Sequence, residues 1–323
     1  MVGICSGWER KINVSSILLS SNTQWVLFST MILGIAAGTI GSIAYWRRQN
    51  LMSDALAHAA LPGVVIAFLL IGEKRLIILI IGAAISALIG ALFIQIITTS
   101  SRISEDSAMG MILSVFYGLG IMLLTIANRI GGGNQSGLDS FIYGQAAAMV
   151  RSDVYTMLFL AIIVILLVFI LFKEWKIYLF DPQFAKGLGL SLKGMNALYT
   201  ALLVTTIVIG IQAVGVILIA ALLIIPAVSA RYWTESFKAM VLLSAFIGGT
   251  SGAFGTIISA MGSGLPTGPF IVVVAAVFFI ISLVFGKERG LLIQKLQYKR
   301  QQKEYLEKVS RNVQIDSSGG DMT

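Results

Sequence analysis

Residues 198–230 read LYTALLVTTIVIGIQAVGVILIAALLIIPAVSA, 33 positions without a single charged side chain. As one straight helix this stretch would be roughly 50 Å long, well beyond the roughly 30 Å hydrocarbon core of a bilayer. It must tilt steeply or turn back, and Gly210, Gln212 and Gly215 supply a flexible, polar turning point near its middle. The reading adopted is two spans, 196–211 and 213–230. Seven further apolar runs of membrane-crossing length lie near 25–45, 51–72, 75–98, 107–127, 153–172, 238–261 and 266–286.

The expected fold is therefore an all-α polytopic membrane protein of about nine transmembrane helices. Composition agrees: 57% of the 323 residues are hydrophobic, 12% are charged, and mean hydropathy is +0.90. No single soluble core buries so much apolar surface.

Basic residues stay on the cytoplasmic side of a membrane and so fix the orientation. With the N-terminus outside, the inner loops hold Arg47, Arg48, Arg102, Lys173, Lys176, Lys186, Lys193, Arg231 and Lys238. Lys287, Arg289, Lys295, Lys299, Arg300 and Lys303 add to them just after the last span. The outer segments hold six: Arg10, Lys11, Lys74, Arg75, Arg129 and Arg151. Fifteen against six favours an outside N-terminus and an inside C-terminus. The expected organisation is an extracellular segment over 1–24, a transmembrane domain over 25–286 and a basic cytoplasmic tail over 287–323.

That tail is dominated by Gln, Lys and Glu and reads as a short helix to about Val313 followed by disorder. Its Leu291, Leu292, Leu296 and Leu306 either dock on a partner or belong to a solvated extension. The net charge of +8 reads as topology anchors beside anionic lipid and not as a nucleic-acid surface, because no basic and aromatic binding face accompanies it. One cysteine, Cys5, excludes an intramolecular disulfide framework and a multi-thiolate metal site. Residues 1–22 lack the separate apolar core and cleavage site of a signal peptide.

Ionisable residues inside a span are expensive and mark function. Asp54 is the clear case, and four residues on stands His58, the chain's single histidine. A spacing of four places both side chains on one helical face. A carboxylate oxygen beside an imidazole nitrogen suits manganese, iron(II) or zinc. Pro62, four residues further, has no N–H to give the His58 carbonyl, so a helix break on the path is expected there. Two readings of the pair are open: a packing pair that bonds only to itself or a neighbouring helix, or ligands on a transport path. The cost of burying an ionisable pair favours the second. Two ligands do not close a metal site, so carbonyls, water or a second subunit must supply the rest.

Glu105 and Asp106 read as a charge pair at a helix start, and Asp139 lies in an outer loop rich in glycine. The 12 methionines are scattered and read as packing. The chain has no Gly-x-x-x-x-Gly-Lys-Ser/Thr loop for nucleotide phosphates and no His-Glu-x-x-His. It is expected to be non-catalytic, with any ATP hydrolysed by another subunit.

The run Ser53-Asp54-Ala55-Leu56-Ala57-His58-Ala59-Ala60-Leu61-Pro62-Gly63 resembles the signature of ABC-transporter permeases for manganese, zinc and iron. Three further stretches agree in order: Leu138 to Gly144, Asp181-Pro182-Gln183-Phe184-Ala185 with Gly187 to Leu190, and Gln212-Ala213-Val214-Gly215 running to Pro226-Ala227. The likeness spans roughly residues 25–285. It implies a type II importer-like permease in a bacterial cell membrane, a second permease identical or paralogous to it, cytoplasmic ATPase subunits and an extracellular metal-binding protein.

By the same resemblance Asp54 and His58 are the metal residues. Asp181, Pro182, Gln183, Phe184, Ala185, Gly187 and Gly189 then form the coupling segment, about 177–195, which seats in the ATPase. The Phe-Ile-Tyr-Gly-Gln stretch after Ser140 looks more like the manganese-type members. The transported ion is expected to be manganese, with zinc or iron as alternatives, and no resident cofactor is expected. Two other readings stand beside this one: a proton-coupled secondary transporter using Asp54 and His58 as a relay, and an ABC permease for siderophores or corrinoids with a wide, ligand-free path.

Overall fold

The apolar stretch quoted above forms two helices in the computed structural model, which describes residues 21–71, 76–130, 151–261, 265–295, 298, 301 and 302. Leu192–Val214 ends at Gly215, whose φ of 96° lies in the left-handed region that glycine alone adopts without strain, and Val216–Arg231 begins directly after it. The Ile219 side chain packs onto Gly210. Nine residues apart along one continuous helix the two would be separated by about 13 Å, so the chain turns back.

Eleven helices are described, labelled here in chain order: α1 Ser21–Trp46, α2 Asn50–Ile71, α3 Leu76–Ser100, α4 Glu105–Ile130, α5 Arg151–Ile170, α6 Phe172–Phe180, α7 Pro182–Gly187, α8 Leu192–Val214, α9 Val216–Arg231, α10 Phe237–Ala260 and α11 Thr267–Phe285. No strand occurs among the described residues. Eight of the helices are long and apolar enough to cross a membrane. The ninth apolar helix, α9, has 16 residues, about 24 Å of rise, and completes the expected nine.

The centre of the bundle is α1, clasped by α10. A methyl placed on Gly34 would overlap the Gly248 carbonyl, and one on Gly38 would overlap the Ser244 carbonyl. Small residues thus let the two backbones touch, the usual basis of helix association in lipid. Hydroxyls reinforce the seam: Ser244 Oγ donates to the Gly38 carbonyl at 2.7 Å, and Thr30 Oγ1 and Thr256 Oγ1 lie 2.8 Å apart. The paired residues, 30 with 256, 34 with 248 and 38 with 244, show that the helices are antiparallel. The contact between α2 and α3 is built alike, with Gly63 against the Gly82 carbonyl and Ser86 Oγ donating to the Ala59 carbonyl at 2.6 Å.

Residues from both ends of the bundle identify the two membrane faces. At one end Trp25 meets Tyr155 edge-on at 5.4 Å and Gln212 donates to Asp153 at 3.2 Å. At the other, Arg47 donates to Tyr178 and Asn196, Gln49 donates to Glu105, and Arg231 lies over the Trp46 ring. The loops richest in Arg and Lys converge on this second end, the one that the positive-inside rule assigns to the cytoplasm. Glu105 and Asp106 occupy the first turn of α4, as expected of a helix-start pair.

One expectation is corrected. The helix α2 does not break at Pro62 but runs unbroken from Asn50 to Ile71. Proline removes the ladder bond to the His58 carbonyl, and a helix packed on its neighbours continues past that loss. Gly120 of α4 packs directly on Leu61 and Pro62, and Ser86 occupies the adjacent Ala59 carbonyl. Residues 1–20, the Leu138–Gly144 stretch with Asp139, and Leu296 and Leu306 lie outside the described residues. Of the tail, 291–295 is helical, and its approach is anchored where the N–H groups of Glu288 and Arg289 donate to the Tyr232 carbonyl.

Candidate functional site

Helix α2 is buried through its first half and centre, and exposes Leu69, Leu70 and Ile71 at its outer end. Between Met52 and Val65, Asp54 and His58 are the two residues left partly accessible. Their i, i+4 spacing brings His58 Nε2 to 3.5 Å from Asp54 Oδ1. The side chains are 14% exposed at His58 and 37% at Asp54, so the carboxylate is the more open group. From the start of α2, Asp54 lies about 6 Å and His58 about 12 Å along the axis, which places both in the cytoplasmic half.

Tyr117 of α4 holds the imidazole. Its ring meets that of His58 edge-on, with centroids 4.9 Å apart and planes at 78°. His58 Nδ1 is buried and makes no hydrogen bond among the described residues. The pair's only charged or metal-binding contact is internal: among the described residues no third His, Cys, Asp or Glu joins them. What one chain presents is one oxygen donor group and one nitrogen donor group, an incomplete set for any divalent ion.

Beside the pair, α4 presents a small-residue stripe. Gly110, Ser114 and Gly118 are exposed, spaced one turn apart, and a methyl on either glycine would meet nothing within 4 Å. Among the described residues these glycines serve no packing. A second helical body can approach closely along this line, next to Tyr117 and His58.

On the cytoplasmic face, α6 and α7 form a protruding elbow. Asp181 caps α7 by accepting from the Phe184 N–H at 2.9 Å, and Pro182 takes the first helical position, where its missing N–H costs nothing. Ala185 is fully buried and anchors the helix, while its carbonyl accepts from Leu190. Gly189 has φ of 80° and turns the chain toward Ser191, whose hydroxyl accepts from the Gly194 N–H and caps α8. Gly187 ends α7 with open space around it. Gln183, Phe184 and Leu188 face outward, with Phe184 55% exposed. A six-residue helix that displays Phe184, with Leu188 exposed just beyond its end, has the form of a docking knob.

The elbow is joined to the bundle by Arg47, which follows α1 directly. One arm of its guanidinium donates to Tyr178 Oη on α6 and the other to Asn196 Oδ1 on α8, both at 2.8 Å, and the group lies 4.5 Å from the Tyr199 ring centre. The next turn of chain leads through Arg48, at φ of 59°, into α2 and Asp54. Sequence reading takes Arg47 only as a topology anchor. Neither its knot nor Tyr117 is foreseeable from spacing, because each depends on which helices become neighbours.

The fold and this geometry define a multi-pass membrane permease with an ionisable pair in its inner half. The model of the ABC 3 transport family matches residues 20–286, and the chain belongs to that family. It is similar to the manganese transport system membrane protein MntC of Bacillus subtilis (strain 168), 46% identical over 279 residues that cover 86% of this chain and 64% of that protein. The chain thus spans just under two thirds of that relative's length. It is also 42% identical over 277 residues to the zinc transport system membrane protein TroC of Treponema pallidum (strain Nichols), covering 86% of this chain and 93% of the other.

Among solved structures, PsaBC from Streptococcus pneumoniae in complex with Fab superposes with a TM-score of 0.76 at 32% identity, over 87% of this chain and 98% of that one. An inward-facing putative metal-chelate type ABC transporter shares the fold, with a TM-score of 0.63 at 15% identity over 87% of this chain and 92% of the other.

Proposed function

We propose that this permease carries a divalent metal ion inward, manganese by preference, along a path on which Asp54 and His58 are ligands. The observation that carries the reading is the pair itself: two ionisable side chains at 3.5 Å, left partly accessible within a stretch, Met52 to Val65, that is otherwise buried. A carboxylate with an imidazole suits manganese, iron(II) and zinc alike. The manganese preference follows the name of MntC, and the name of TroC keeps zinc as the alternative.

In this reading the two ligands per chain are completed across a second permease, by its own residues, backbone carbonyls and water. The open stripe Gly110, Ser114 and Gly118 is where the second body approaches. An extracellular metal-binding protein releases the ion at the outer face. A separate cytoplasmic ATPase grips Gln183, Phe184 and Leu188, and its closure moves α7. The displacement reaches α2 through α6 and Arg47, exposing the ion to one side of the membrane at a time. Asp54 supplies charge and oxygen, and His58 supplies nitrogen. The permease itself hydrolyses nothing.

The test is uptake by the transporter reconstituted with its ATPase and metal-binding protein. Asp54→Ala and His58→Ala should each lower manganese uptake at least tenfold while the complex still assembles and hydrolyses ATP. Near-normal uptake in both would reject the path. Uptake by the permease without any ATPase would instead establish a proton-coupled carrier.

A further inference from the structure

A cavity of about 220 Å³ lies between the inner end of α5, the start of α6 and the first turns of α10, lined by Phe169, Phe172, Lys238, Val241 and Leu242. We infer that this groove binds one anionic glycerophospholipid of the cytoplasmic leaflet, an acyl chain along the four apolar walls and the phosphate against the Lys238 ammonium. The inference goes beyond the metal path, since none of these three helices carries Asp54 or His58.

Position and charge decide the occupant. Lys238 is the second residue of α10, at the end of the bundle where Arg231 and the other basic residues gather, so the ammonium sits at headgroup level of the inner leaflet. Among the described residues it forms no ion pair. Phe169 and Leu242 are exposed, which opens the groove sideways into hydrocarbon rather than toward water. A lysine that merely snorkels past a smooth apolar wall needs no cavity beneath it. Here the cavity is preformed, because Phe172 stacks on the buried Phe237 at 5.2 Å with planes only 18° apart. A phosphatidylglycerol headgroup satisfies the free cation, whereas a zwitterionic headgroup brings a cation of its own.

The groove also touches the coupling elbow. Phe237 meets Phe180 edge-on at 5.9 Å, and Phe180 immediately precedes Asp181, the cap of α7. An occupied groove therefore supports the same aromatic stack that seats the elbow.

The experiment is native mass spectrometry of the detergent-purified permease and ATPase complex, titrated with phosphatidylglycerol or phosphatidylcholine. Phosphatidylglycerol should be retained at one molecule per permease and at least tenfold more strongly than phosphatidylcholine. Lys238→Gln and Leu242→Trp should each weaken retention about tenfold, the second by filling the groove from an outward position that leaves the core intact. Arg102→Gln, the same charge change on the cytoplasmic side of α3 and α4, should leave it unchanged. Equal retention of the two lipids, undiminished retention in both groove variants, or displacement by soluble glycerol 3-phosphate would overturn the assignment, the last by showing a site for phosphate without the chain.

Discussion

Asp54 and His58 differ in what they offer an ion, and single substitutions should separate them. Asp54→Asn keeps the shape and one oxygen but removes the charge, so it should lose uptake nearly as fully as Asp54→Ala. Asp54→Glu, which restores the charge on a longer arm, should recover part of it. Uptake assays with manganese over a concentration series check this, and full activity of Asp54→Asn would mean the carboxylate charge is not used. Tyr117→Ala removes the edge-on contact to the imidazole without touching a ligand. It should weaken apparent metal affinity several-fold, read as the half-saturating manganese concentration.

The pair itself was legible in the sequence, because an i, i+4 spacing is fixed by helix geometry before any tertiary contact forms. The imidazole's partner Tyr117, 59 positions after His58 in the chain, was not. No local pattern encodes which face of α4 meets α2.

At the scale of elements, the close approach of α1 and α10 depends on glycine at both contact points. Gly34→Val should destabilise the bundle by about 1–3 kcal/mol or more through overpacking against backbone. The midpoint of thermal unfolding in detergent reads this, and an unchanged midpoint would contradict the packing described. Coupling makes a different demand. If α7 is the proposed coupling helix, Phe184→Ala should leave basal ATP hydrolysis in place while metal transport falls at least fivefold, since the exposed ring makes little contact with the bundle.

Arg47→Lys keeps the charge but loses the planar fork that reaches Tyr178 and Asn196 at once. It should lower the number of ions moved per ATP, with Tyr178→Phe and Asn196→Ala each giving a smaller loss. Hydropathy foretold the spans, and the turn near Gly215 followed from a stretch too long for the bilayer. The expected break at Pro62 did not follow: α2 continues through it, packed on Gly120 of a neighbouring helix that a local reading does not reveal.

For the molecule as a whole, the central fact is incompleteness. One chain of the ABC 3 transport family presents two donor groups where a divalent ion needs at least four, an open small-residue stripe beside them and an apolar knob on the cytoplasmic side. Each feature looks toward a partner. That Asp54 and His58 hold the transported ion is the proposal on which the transport path depends. It is tested most directly by the metal content of the purified complex after equilibration with manganese, comparing the native chain with His58→Ala and Asp54→Ala at equal assembly. Bound manganese should be present in the native complex and fall at least tenfold in both variants; the same manganese content in all three would contradict it.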